Sequence, residues 1–256
     1  MNETESLSSV IKQLADRKGD IDISLGDLDI DGHVSSVARL PSKKNKVFCI
    51  TMAGGSAFVL KVSATSRAAN EFSVLTESHS LGLDVPEPYA IREELVFMEF
   101  INGSNVCDAL NSTLHEGYSV RLAEWFSEFH NAFRENDKTL VKSDAILKNF
   151  LETGSKIVGV DFEFAHYGNP VEDLGELCAH ILDTDPMFTK DKYELCRVFL
   201  EAYHNLSEFA LSNIAESTAK ALETAAKFRL DQGRMLITKA AELRAGNVAW
   251  LQDIGH

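Results

Sequence analysis

Asp144, Asn149 and Asp161 are the residues whose types and order suit the transfer of a phosphoryl group to a hydroxyl. Asp144 opens the run Asp144-Ala-Ile-Leu-Lys-Asn149, and a later apolar run ends in Asp161-Phe162-Glu163. In that chemistry one carboxylate takes the proton of the acceptor hydroxyl, while an amide oxygen and a second carboxylate hold Mg²⁺ against the phosphates of ATP. Upstream, Val59-Leu60-Lys61 ends a predicted strand, and Glu71 falls within the helix predicted to follow it. A strand lysine steadied by a helix carboxylate puts a localised positive charge on the α- and β-phosphates. Taken one at a time, each residue also has a plainer reading. Lys61 suits an edge strand in water, Glu77 is as good a helix carboxylate as Glu71, and Asp144, Asn149 and Asp161 suit turns and an exposed strand position. Their joint spacing is what points to one chemistry.

The elements that must hold these residues can be read from periodicity. The segments ILKNFLE and KIVGVDF flank Gly154-Ser155 and predict a hairpin, with Asn149 inside its first strand and Asp161 at the end of its second. Antiparallel pairing brings both to one end, where two oxygen ligands can share a hard cation. Residues 7–17 predict a short amphipathic helix closed by Lys18-Gly19-Asp20. From about 33 to 63 three β-rich runs are separated by turns at Ser42–Asn45 and Ala53–Gly55, which predicts three successive antiparallel strands. A helix follows and ends at Gly82; Val85-Pro-Glu-Pro88 breaks the pattern, and residues 95–101 predict another buried strand. Beyond 104 the pattern turns helical. Leu122, Trp125, Phe126, Phe129 and Phe133 form one stripe over 120–133, and further helices are expected over 191–206 and about 208–230. A five-stranded sheet with one helix, followed by a mostly helical half, predicts an α+β fold with two lobes.

Composition narrows the partners. The chain has 256 residues, 45% of them hydrophobic, and a formal net charge of −14. Such a charge disfavours nucleic acid and anionic membrane as partners, and it is mildly favourable to a cationic small substrate. Cys49, Cys107, Cys178 and Cys196 have no metal-ligand spacing and sit in apolar runs, as buried thiols of a reducing compartment do. Neither a signal peptide nor an apolar run of the ~18 residues that span a bilayer is readable, so a cytoplasmic protein is expected. His130 and His180 lie within helical runs and are read as core or interface residues.

From about residue 38 to 182 the chain resembles the aminoglycoside phosphotransferase and choline kinase family, within the protein-kinase-like fold. Leu40-Pro-Ser-Lys-Lys-Asn45-Lys-Val-Phe is similar to that family's nucleotide loop, and Val59-Leu60-Lys61 to its strand-three lysine segment. Asn70-Glu71-Phe followed by Leu81-Gly-Leu-Asp-Val-Pro86 resembles its second helix and turn. Val96-Phe-Met-Glu-Phe-Ile-Asn-Gly103 resembles its hinge, and residues 122–130 the helix before the catalytic loop. Val160-Asp161-Phe-Glu163 and Gly168-Asn-Pro-Val-Glu-Asp173-Leu-Gly resemble its metal segment and the acidic turn that braces it. Two departures stand out. Lys142-Ser143-Asp144 replaces the family's His-Gly-Asp, and the nucleotide loop lacks the glycine that lets backbone N–H groups approach phosphates.

The resemblance implies a nucleotide-binding lobe over 1–98, a hinge over 99–103 and a helical lobe over 104–256 that carries the hairpin and the acceptor site. It implies ATP and Mg²⁺ as cofactors and a hydroxyl-bearing small molecule as acceptor. Asp144 would be the catalytic base, and Asn149 and Asp161 the metal ligands. Lys61, Glu71, Ser42, Lys43, Asn45 and the backbone at Glu99 and Ile101 would hold the nucleotide, with Lys43 and Lys44 supplying charge where glycine is missing. Asp173 would brace the catalytic loop. Two alternatives stay open: a kinase of protein or of a lipid-linked sugar, and a nucleotide-binding pseudokinase that serves as an interaction module.

Overall fold

Alternation along Val59-Leu60-Lys61-Val62 organises the first part of the chain. Successive strand residues point to opposite sheet faces, so Leu60 and Val62 enter an apolar cluster with Val34, Ile50, Met52, Leu95 and Phe97. Lys61 points the other way. The computed structural model describes residues 5–6, 33–42, 44–154 and 156–246. The helix expected over 7–17 and the loop residue Lys43 lie outside the described residues.

By contact density the chain divides into two compact units. One runs to His79 and resumes over Pro86–Ile101; the other takes Ser80–Val85 and the chain from Asn102 onward. The first holds strands β1 (Glu5–Ser6), β2 (His33–Leu40), β3 (Lys46–Met52) and β4 (Ala57–Val62), helix α1 (Thr65–Ser80), and strands β5 (Pro88–Arg92) and β6 (Leu95–Glu99). The strands form one antiparallel sheet in the order β1-β2-β3-β4-β6-β5. A five-stranded sheet was expected, with four of its strands located in the sequence; six strands are described, and β1 and β5 are the two that had not been located. Pro88 hides β5 in the sequence, because proline is compatible only with an edge or a strand start, and β5 occupies an edge. Helix α1 buries Ala68, Glu71, Val74, Leu75 and Ser78 along one stripe.

The second unit begins with β7 (Ser104–Asn105), helices α2 (Val106–Thr113) and α3 (Gly117–Ala132), and β8 (Thr139–Val141). A 3₁₀ turn (Leu147–Asn149), β9 (Phe150–Thr153), β10 (Lys156–Gly159) and β11 (His166–Gly168) follow. Helices α4 (Val171–Leu182), α5 (Lys190–Leu206), α6 (Ile214–Ala226) and α7 (Gly233–Arg244) complete it. The aromatic stripe of α3 is its core: Trp125 stacks on Phe129 at 5.1 Å and meets Phe150 edge-on at 5.1 Å. The Trp125 indole N–H donates to the Asp84 carbonyl at 2.9 Å. Each ring of this kind, fully buried, contributes about 1.5–3 kcal/mol.

Two expectations are corrected. The helix expected over 208–230 is shorter, because Ser207 ends α5 in extended backbone and Asn213 takes a left-handed conformation before α6. Between them Phe209 is buried and lies edge-on to His130. The hairpin exists, but Asn149 is in the 3₁₀ turn ahead of its first strand rather than inside it. Asp161 lies two residues past the end of β10, at φ +66°.

Helix α4 begins with a capping box. The Asn169 side chain accepts from Val171 N at 3.0 Å, Glu172 Oε1 accepts from Asn169 N at 3.0 Å, and Pro170 occupies the first turn. At Gly175 this helix comes so close to α6 that a Cβ would stand 2.8 Å from the Ser217 carbonyl carbon. Backbone cannot give way as a flexible side chain can. Gly175→Ala is therefore expected to lose about 1–3 kcal/mol, read as a lower midpoint in chemical denaturation; an unchanged midpoint would show that the two helices can part freely.

Candidate functional site

The turn presenting Asp144 is built by two carboxylates of α4, one helical turn apart. Asp173 Oδ2 accepts from Lys142 N at 2.6 Å, and Oδ1 accepts from Ser143 N at 2.8 Å. Glu176 Oε2 accepts from Ala145 N at 2.8 Å. Three backbone donors around Asp144 are thus held by one rigid helix. The support matters because Ser143 and Asp144 both adopt left-handed backbone, at φ +52° and +53°. That region costs a non-glycine residue roughly 1–2 kcal/mol, and the charge-assisted bonds to Asp173, with the further bond to Glu176, offset it. Glycine at position 143 would relax the turn; here Ser143 carries the strain and bonds through its hydroxyl to His166 Nδ1 at 3.1 Å.

Asp173 is itself braced. His130 Nε2 lies 3.1 Å from Asp173 Oδ2, and His130 Nδ1 lies 2.8 Å from the Tyr203 hydroxyl. Burial pushes the Tyr203 phenol up, so its O–H remains a donor. With the tautomer that protonates Nε2, the histidine donates to Asp173 and accepts from Tyr203. His130 is fully buried, as its core reading expected, and it is one link in this chain of bonds.

Asn149 is anchored to the same turn. Its Nδ2 donates to the Asp144 carbonyl at 2.8 Å and lies 3.4 Å from Asp144 Oδ2. Val160 N donates to the Asn149 carbonyl at 2.9 Å, continuing the β9–β10 ladder toward Asp161. Asn149 and Asp161 therefore do stand at one end of the hairpin, as the pairing argument required. Asp144, Asn149 and Asp161 are each half-buried, so none is lost to the core. The Asn149 amide nitrogen is committed to Asp144, which leaves Oδ1 as the atom to face a cation. Together with the Asp161 carboxylate this is an all-oxygen donor set of the kind that suits Mg²⁺ or Ca²⁺.

Lys142, read from sequence only as a departure, is fully buried. Its Nζ donates to the Asp161 carbonyl at 2.9 Å and sits 5.0 Å from the Phe162 ring centroid and 5.6 Å from that of Phe150. Burial pulls its ammonium pKa down, while Asp161, Asp173, Asp144 and Glu176 oppose that.

In the first unit, Lys61 Nζ contacts both oxygens of Glu71, at 3.0 and 2.8 Å, with both side chains buried. Glu71 rather than Glu77 is the helix partner. Ser42 and Asn45 close the β2–β3 turn, with Asn45 N donating to Ser42 Oγ at 3.3 Å. Glu99 ends β6; its own N–H donates to the Glu87 carbonyl at 2.8 Å, so that donor is already used. Ile101 lies two residues beyond that strand. Glu176 and Lys142 are the site neighbours that sequence reasoning did not single out for a role. Asp173 to Glu176 is a one-turn spacing at a helix start, a signal that gains meaning only once the helix is known to face the Asp144 turn.

This architecture is a protein-kinase-like fold. The chain matches the profile of the RIO domain, a protein-kinase-like domain, over residues 52–163. Comparison with curated proteins gives no match. Among solved structures, it is similar to the amicoumacin kinase hAmiN, solved with AMP-PNP, Ca²⁺ and Ami, at 16% identity and a TM-score of 0.65 over 94% of this chain and 93% of that one. A choline kinase from Cryptosporidium parvum Iowa II gives 13% identity and a TM-score of 0.64 over 85% and 92%. The ADP-bound aminoglycoside phosphotransferase APH(2'')-Ib gives 14% and 0.57 over 93% and 96%. At these identities the likeness is one of fold.

Burial, reinforced by Asp173 and Asp144, pushes Glu176 from 4.5 to about 7, although the bond from Ala145 N pulls the other way. A carboxyl with a raised folded pKa binds its proton more tightly when folded. Its contribution is therefore complete below its unfolded pKa and is lost as pH rises through about 7. Glu176→Gln keeps an oxygen for Ala145 N and removes the titration. The variant should lose less stability than the parent between pH 5 and 8, by a difference on the order of 2–3 kcal/mol. Parallel denaturation curves at each pH give the answer, and equal pH slopes would refute the assignment.

Proposed function

We propose that the chain is a MgATP-dependent phosphotransferase that passes the γ-phosphoryl group to a hydroxyl of a small molecule. The observation that carries this reading is the clamped turn. A helix fastens three backbone N–H groups around Asp144, and Asn149 is tied to the same turn with Asp161 at the adjoining hairpin end. MgATP, when bound, supplies the transferable group and the cationic charge that neutralises it. Asn149 Oδ1 and the Asp161 carboxylate would hold the cation. Asp144 would accept the proton of the acceptor hydroxyl as its oxygen bonds to the γ-phosphorus and the bond from that phosphorus to the ADP leaving group breaks. Lys61, steadied by Glu71, would supply positive charge to the α- and β-phosphates. Ser42, Lys43 and Asn45 serve as the phosphate loop, and the backbone at Glu99 and Ile101 as the adenine contact. In this reading residues 1–98 form the nucleotide lobe, 99–103 the hinge and 104–256 the acceptor lobe.

The net charge of −14 supports a cationic acceptor, such as an amino alcohol or an aminated sugar. The similar solved structures whose names include choline kinase and aminoglycoside phosphotransferase support the same class. A second reading rests on the RIO-domain match and makes the acceptor a protein hydroxyl.

Asp144→Asn tests the core of the proposal. The variant should lose at least ~100-fold in turnover while its Mg²⁺-dependent thermal stabilisation by ATP stays near that of the parent. Retained turnover removes Asp144 as the base. ADP release across sugars, amino alcohols, aminoglycosides and a protein substrate separates the two acceptor readings. Nucleotide binding without ADP release from any of them points to a pseudokinase.

A further inference from the structure

A lysine with no exposed surface is uncommon, because its ammonium must find partners away from water. Lys142 is held at both ends. Its backbone N–H is taken by Asp173 at 2.6 Å, and its Nζ donates to the Asp161 carbonyl at 2.9 Å. Its Nζ also stands 5.6 Å from the Phe150 ring centroid and 5.0 Å from that of Phe162. Both turns so joined contain left-handed residues, Ser143 and Asp144 on one side and Asp161 on the other.

We propose that Lys142 is a positioning residue whose side chain fastens the Asp161 turn to the Asp144 turn and so sets the direction of the Asp161 carboxylate. The inference rests on the reading of Asp161 as a cation ligand. Asp161 stands two residues past the end of β10, at φ +66°. Anchoring its carbonyl oxygen fixes the plane of the Asp161–Phe162 peptide, and with it the vector along which the side chain leaves the backbone. Nζ donates to a carbonyl whether or not it carries its extra proton, so the tether does not depend on protonation state.

The same lysine read merely as a buried charge predicts the opposite sign. Removing a cation beside Asp161, Asp144, Asp173 and Glu176 would leave the site more negative and strengthen its hold on a divalent ion. Removing a tether lets the ligand swing and weakens it. A lysine that only fills the core would alter neither the metal response nor the local exchange at Asp161.

Lys142→Met fills a similar volume with no donor, and Lys142→Gln retains a shorter neutral donor. In Lys142→Met, amide hydrogen exchange across residues 160–164 should speed up, and the Mg²⁺ concentration for half-maximal ATP turnover should rise about tenfold, as for lost outer support of a metal ligand. Lys142→Gln should recover part of both changes. If the Met variant does not fold, the Gln variant measured against the parent decides by the same two readings. Unchanged exchange, or an unchanged or lower Mg²⁺ requirement, overturns the proposal. The parent separates this from the functional reading. A parent with no Mg²⁺-dependent response to ATP sinks the phosphotransferase reading and the positioning role with it, whereas a responsive parent with unaltered variants sinks the positioning role alone.

Discussion

The site depends on one buried carboxylate. Asp173 accepts the N–H groups of Lys142 and Ser143 and faces the ring of His130, which is in turn bonded to Tyr203. A buried carboxylate is tolerable only when its lone pairs are satisfied; here two donors come from the residues that follow β8 and one from α3, whose His130 is backed by Tyr203 of α5. The β8 end, helix α3 and helix α5 converge on it. Placing Asp173 in the first turn of α4 also sets the carboxylate at the favourable end of the helix dipole. Because the helix is rigid and closely packed on α6 at Gly175, the loop it grips inherits that rigidity.

From that anchor the local geometry follows in steps. The clamp lets Ser143 and Asp144 occupy left-handed backbone, which turns the Asp144 carbonyl to receive both Ile146 N and Asn149 Nδ2. The 3₁₀ turn carries Asn149 into β9, and the β9–β10 ladder returns the chain to Asp161. Rings packed on Trp125 give these polar turns a firm floor, and the ammonium of Lys142 threads that floor to reach the Asp161 carbonyl. A polar site of this kind sits on an apolar platform because small displacements of its oxygens would be costly to binding and to rate.

The departures Lys142-Ser143 now have a physical description. Serine at a φ of +52° bears strain that glycine would not, and its N–H bond to Asp173 offsets that strain. Lysine supplies a long reach and a donor at a place where the turn needs one. Neither residue removes Asp144 from half-exposed surface, and neither displaces Asn149 or Asp161. In the first unit, the strand lysine and helix glutamate are a close buried pair, although either residue alone looked ordinary in the sequence.

Periodicity carried much of the fold by itself. β-rich runs between turn residues gave β2, β3 and β4, a buried apolar run gave β6, the aromatic stripe gave α3, and Gly154-Ser155 gave the hairpin, because each of those patterns is written into neighbouring residues. The edge strand at Pro88 and the break at 207–213 were not legible. The first is disguised by a residue that normally ends strands, and the second is enforced by the distant contact of Phe209 with His130. For the site, residue type and spacing were enough to nominate Asp144, Asn149, Asp161, Lys61 and Glu71. What only the tertiary structure decided is which groups hold them: Glu71 over Glu77, Glu176 on Ala145, and Lys142 on the Asp161 carbonyl. Sequence records local preference, whereas these choices depend on which helix packs against which turn, and that is set by burial across long separations in the chain.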